Sequence, residues 1–210
     1  MLLLLVGTAV AFAEAERLKL EPTAIEESYV QPAFSPVCRC AQAHATIRIR
    51  LHRADTVTVR IDDAAGKTVR VLADRRRLPR GRTQLEWDGR DDAGMQAPDG
   101  SYKVEVRLSR ASRSFELPRA VTLDTVPPTV RRVSYDRHGA RLRVLYRLSE
   151  RAHGILFVNG RRTVVTYSSH PRAKLQWRVG SRRRYVLEFA GLDLAGNLGP
   201  HSPAAVLRLR

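Results

Sequence analysis

Tyr102-Lys103-Val104-Glu105-Val106-Arg107-Leu108 alternates apolar and charged residues without a fault, and Ala45–Leu51, Val57–Ile61 and Leu142–Leu148 keep the same period. Successive side chains of a strand point to opposite faces, so a period of two places one face in a core and the other in water. No stretch sustains the 3.6-residue apolar period of a helix. The strand over Thr83–Trp87 ends in a turn cluster, Asp88-Gly89-Arg90-Asp91-Asp92-Ala93-Gly94. Pro98-Asp99-Gly100-Ser101-Tyr102 then opens the next strand. Gly and Asp supply the turn conformations that other residues resist. Trp87 and Tyr102 share the inward phase of their strands and read as core. Asp88, Gly89, Asp91, Gly94 and Gly100 read as the turn that sets both strands.

Further short runs fill both halves of the chain. Val57–Ile61 and Thr68–Leu72 flank a turn containing Gly66, which predicts a hairpin, and a strand over roughly Phe115–Leu123 closes the first set. Ile155–Val158, Arg161–Thr166, Leu175–Val179, Tyr185–Ala190 and Ala204–Leu209 supply strands of a second set, with Asn159-Gly160 as a two-residue hairpin turn. Pro127-Pro128 cannot donate sheet hydrogen bonds and stiffens the chain between the two sets. The pattern predicts an all-β chain of two tandem Ig-like β-sandwiches, one over 31–126 and one over 127–210. Residues 14–30, with five glutamates and little periodicity, read as an extended acidic lead-in.

The first 13 residues form an apolar run ending in Ala11-Phe12-Ala13, the pattern of a signal peptide cleaved after Ala13. This predicts export to the extracellular space or cell envelope, with retention as an N-terminal anchor as the alternative. Cys38 and Cys40 are the two cysteines of the chain. In an exported protein they are expected to bridge each other locally, since a metal site would need more partners than His44.

Net charge is +16, and 33 of the 37 basic residues are arginine. That ratio is what a GC-rich genome's codon usage produces, and many arginines occupy the solvent positions of alternating strands. Two runs, Arg75-Arg76-Arg77 and Arg182-Arg183-Arg184, are predicted in loops and are the candidates for an anionic partner. They lack interleaved aromatics on which bases could stack, and with an export signal nucleic acid is not the expected partner. The expected counterparts are other envelope proteins, an anionic cell-wall polymer or lipid headgroups.

Catalytic and cofactor motifs are absent from the sequence. There is no Gly-x-Ser-x-Gly elbow, no His-Glu-x-x-His and no phosphate-cradling glycine loop. The six histidines are scattered. Asp88, Asp91, Asp92 and Asp99 form an acidic cluster of the kind calcium accepts. Capping of their own turn amides is the simpler use of these carboxylates, and the same holds for Asp193 with Asn197. No enzyme activity, cofactor or metal is expected.

The segment from Phe34 to Leu123 resembles the Ig-like domain family of the flagellar hook-capping protein FlgD. The likeness rests on Phe34-Ser35-Pro36, on Val57-x-Val59-x-Ile61 with Gly66-Lys67-x-Val69-Arg70, and on Trp87-Asp88-Gly89-Arg90-Asp91-x-x-Gly94 with Pro98-Asp99-Gly100-x-Tyr102. Where family members often carry Asn-Gly-Asp-Gly after the Ser-Pro step, this chain has Val37-Cys38-Arg39-Cys40, which suggests a disulfide in place of a calcium-stabilised loop. The second half is similar to bacterial Ig-like or fibronectin III-like repeats, on Asp124-Thr125-x-Pro127-Pro128 and Leu192-Asp193-Leu194-Ala195-Gly196-Asn197. The resemblance implies a structural or adhesive module of the cell envelope. The alternative expectation is an accessory module that grips an anionic glycopolymer or lipid surface through its arginine loops.

Overall fold

The computed structural model describes residues 24–110 and 112–209. The apolar leader and residues 14–23 lie outside the described residues. Sixteen strands and no helix are present among the described residues.

The first sandwich packs two sheets. One has the order β1-β3-β6, with β1 at Ile25–Val30, β3 at Ala45–Leu51 and β6 at Gly81–Trp87. The other runs β2 (Ala33–Phe34), β9 (Val121–Leu123), β7 (Gly100–Leu108), β4 (Asp55–Asp62) and β5 (Thr68–Leu78), with β8 (Arg113–Glu116) also on β7. Every ladder in this unit is antiparallel except β2 on β9. Alternation drives the burial: in β3 the residues Ala45, Ile47, Ile49 and Leu51 are buried while Arg48 and Arg50 face water.

The second sandwich pairs a β10-β11-β14 sheet with a β13-β12-β15-β16 sheet. Its strands are β10 (Val130–His138), β11 (Arg141–Leu148), β12 (Ala152–Val158), β13 (Arg161–Val165), β14 (Arg172–Arg178), β15 (Arg184–Asp193) and β16 (Ala205–Arg208). The two hydrophobic cores share no residue. One draws its buried members from Val30 to Leu123, the other from Leu142 to Phe189. An all-β chain of two tandem Ig-like sandwiches is therefore what the structure shows.

Besides β10, a strand over Val130–His138 that the sequence pattern does not announce, three segments depart from the sequence expectation. The supposed lead-in contributes β1, which pairs with β3 over Ile25–Val30, so the first sandwich begins before residue 31. Its polarity is explained by ion pairs on the water-facing side: Glu26 meets Arg50 Nε and His52 Nδ1, each at 2.8 Å, and Glu27 meets Arg82 at 2.9 Å. Arg75, Arg76 and Arg77 lie in strand β5 rather than a loop. The β4–β5 register shifts between Val57 and Val59, which inserts extra β5 residues opposite that step. Arg75 there takes a φ of 41°, in the left-handed region. A bulge of this kind hides the strand period from sequence reading. The single closing strand expected over Phe115–Leu123 is two strands, β8 and β9, both on the same edge of β7.

Between the cores, Asp124–Thr129 is bonded on both sides. Asp99 accepts from the Thr125 amide at 3.0 Å and from its hydroxyl. Thr129 donates its amide to Ser149 Oγ at 2.9 Å, and Ser149 returns an amide to the Thr129 carbonyl at 2.9 Å. Gly199 packs so closely on the linker that a Cβ built on it would stand 1.8 Å from the Pro128 carbonyl oxygen.

Candidate functional site

The Trp87 turn is built from the core outward. The Trp87 indole is fully buried, 5.2 Å from the Phe34 ring and 4.8 Å edge-on to the Tyr102 ring. Its Nε1–H donates to the Arg90 carbonyl at 2.8 Å, so the one polar atom of the ring is satisfied by the turn it supports. Tyr102 OH donates to the Pro98 carbonyl, and burial raises its pKa. Asp88 caps the Arg90 amide at 3.0 Å and Asp91 the Met95 amide at 2.8 Å. Asp92 accepts from the Val71 amide of β5 at 3.1 Å, while Asp99 is held by Thr125. Gly89 has a φ of 79°, and a Cβ there would meet Leu123 at 3.1 Å and Pro36 at 3.2 Å. Gly94 also takes a positive φ, and Gly100 opens β7. The carboxylates of this turn each accept from backbone amides.

Cys38 and Cys40 are joined in a disulfide. The Cys40 sulfur lies 3.8 Å from the Gly196 carbonyl oxygen of the second sandwich, which places the bridge at the junction.

The structure assembles a group there that sequence reading missed. Carboxylate oxygens of Asp124, Glu150 and Asp193 lie within 4.8 Å of one another. Asp124 comes from the linker, Glu150 from the β11–β12 turn and Asp193 from the end of β15, so no sequence spacing announces them. Asp193 is buried and accepts from the Asn197 amide and Nδ2, both at 2.8 Å. The same Nδ2 donates to the Asp124 carbonyl at 2.9 Å, which stitches the second sandwich to the linker. Desolvation chiefly, with repulsion from Asp124, raises the Asp193 pKa against the lowering effect of Asn197. Desolvation and the charges of Asp124 and Asp193 raise that of Glu150. Three such oxygen donors suit a hard cation, and two of the Asp193 contacts are already taken by Asn197.

The two arginine runs belong to different sandwiches. Arg75–Arg77 project from β5. Arg182 and Arg183 sit in the β14–β15 turn and Arg184 begins β15; all three are exposed. The charge itself is unevenly held. Residues 127–210 carry 17 Lys and Arg against 4 Asp and Glu, hence +13 of the chain's +16.

Fold and turn together define a tandem Ig-like β-sandwich protein. Residues 39–112 match the FlgD Ig-like domain, within the first sandwich. Solved structures with a similar fold include the fibronectin(III)-like modules of Clostridium thermocellum CbhA, at 11% identity, TM-score 0.46, covering 88% of this chain and 94% of that one. FlgD from P. aeruginosa is similar at 17% identity and TM-score 0.34, over 61% of this chain and 90% of that one. The human OSCAR ligand-binding domain is similar at 15% identity and TM-score 0.40, over 86% and 96%. No curated protein matches the chain.

Proposed function

We propose that this chain is a non-catalytic, exported protein of the cell envelope, whose tandem sandwiches serve as a spacer or adhesive module. The observation that carries the reading is the junction. Two separate cores are joined by a linker whose amides, carbonyls and side chains are bonded to both units. Such a join fixes two modules in sequence, which is what a spacer requires. The polar side chains of the Trp87 turn are committed to capping, which is structural work. Export is supported by the apolar leader and by the Cys38–Cys40 bridge, a bond that persists in oxidising compartments.

The test is fractionation of cells expressing the full chain, with mass spectrometry of the mature N-terminus and of the thiols. The expected result is an envelope or secreted protein beginning at Glu14, with Cys38 and Cys40 oxidised to each other. A cytoplasmic protein with two free thiols contradicts the proposal.

A second reading, an accessory module binding an anionic polymer, is favoured by the charge imbalance of the second sandwich. Codon usage substitutes arginine for lysine; it does not remove carboxylates.

A further inference from the structure

We infer that the outer face of the β10-β11-β14 sheet is a docking surface for a linear anionic polysaccharide, an assignment that rests on reading the chain as an interaction module. The sequence runs of arginine are not what makes this surface; strand register is. Arg132 of β10 pairs directly with Arg147 of β11, and Arg147 pairs directly with Arg172 of β14. All three are exposed, on the side opposite the buried Tyr146 and Leu148. Three arginines therefore stand in one row across three strands, about 4.8 Å apart strand to strand. At the far end of the same face Arg141 pairs with Arg178, and Arg143 and Lys174 lie between.

Like charges directly opposite one another destabilise a sheet, so an anion seated on such a row relieves a repulsion the free chain carries. Among the described residues Asp136 is the one carboxylate on this face; it stands opposite Arg143 in register but is engaged by His138 Nε2 at 2.8 Å. Among the described residues no carboxylate lies within 4.0 Å of any of these seven cations. In the first sandwich Arg50, Arg82 and Lys103 are paired with glutamates. The uncompensated charge of the second sandwich leaves this face free to meet an anionic partner.

The form of the surface selects the class of partner. Arg132, Arg147 and Arg172 line an open depression together with Ser134, Leu145 and Tyr146, and further cations follow in rows about 6.7 Å apart along the strands, so the face suits a polymer bearing many anions rather than one small ion. Guanidinium groups present planar forks that match carboxylate and sulfate oxygens. Among the described residues its outward positions hold no Phe, Tyr or Trp, His138 is engaged by Asp136 and Tyr146 is buried, which leaves little for base stacking. Leu145 is its single large apolar residue, too little to insert into a bilayer.

Heparin, a linear sulfated polysaccharide, is the probe, titrated against the full chain across a salt series. Substituting Arg132, Arg147 and Arg172 together by serine should weaken heparin binding at least tenfold and flatten the salt dependence by about two to three ions released. The melting temperature of that variant should be unchanged or higher, because cross-strand repulsion is relieved. The control R75S/R76S/R77S removes the same formal charge from the other sandwich and should change affinity less than threefold. Arg147→Glu alone, at the centre of the row, should weaken binding more than the control does. Equal losses for the two triple variants, or no heparin binding by the wild type, overturn the assignment. So does tighter binding to phosphatidylglycerol vesicles or to a DNA duplex than to heparin at the same salt. Failure of the module reading would show separately, as a cytoplasmic location with free thiols, and leaves heparin affinity untouched.

Discussion

Trp87 does two jobs at once, filling the first core between Phe34 and Tyr102 and bonding the turn that follows it through Nε1. Truncation to alanine removes both, so Trp87→Ala should destabilise the first sandwich by about 3–5 kcal/mol. A denaturant melt within about 0.5 kcal/mol of wild type would contradict this placement. The residue was legible in the sequence because a large aromatic at the inward phase of a strand has few alternatives to burial. Its turn was legible for the same kind of reason, since Gly89 needs both a positive φ and the space a Cβ would fill. The junction carboxylates were not legible. Asp124, Glu150 and Asp193 sit on a linker, a turn and a strand end, and they meet only when one sandwich docks on the linker.

Strands are legible where pairing is regular and lost where it is not. β3, β7 and β11 alternate without interruption and were read correctly. β1 and β10 each contain a register shift near their start, and β5 carries the bulge beside Arg75, so their apolar residues fall out of phase. Register between strands is likewise invisible in one sequence, which is why the Arg132–Arg147–Arg172 row had no sequence signal. Two predictions belong to the join between elements. Gly199→Ala drives a methyl into the Pro128 carbonyl and should destabilise the second sandwich by about 3 kcal/mol, the upper end of overpacking costs; a urea melt matching wild type would refute it. The second concerns pH. Glu150 and Asp193 have folded pKa values raised above their unfolded ones. Their contribution is thus fully present below the ordinary carboxylate range and is lost as pH rises through the raised values. Glu150→Gln should therefore be more stable than wild type at pH 7, and that advantage should vanish by about pH 3, below the ordinary carboxylate range. An advantage that is the same at both pH values would show that Glu150 does not feel its neighbours.

At the scale of the molecule, charge and packing divide the chain at the same place. The first sandwich is nearly balanced and pairs Arg50, Arg82 and Lys103 with glutamates, while the second holds +13 of the +16 with few acids to meet it. Each has its own core, and the linker ties them by hydrogen bonds rather than by a shared apolar interior. The central claim is that these are two separately cored modules. Hydrogen exchange measured by NMR on the full chain tests it most directly, comparing wild type with Trp87→Ala and with Phe189→Ala, whose side chain is fully buried in the second core. Each substitution should speed exchange through the strands of its own sandwich and leave the other's protection within about threefold, a change below about 0.7 kcal/mol. If either substitution speeds exchange throughout both sets of strands, the chain folds as one unit and the account is wrong.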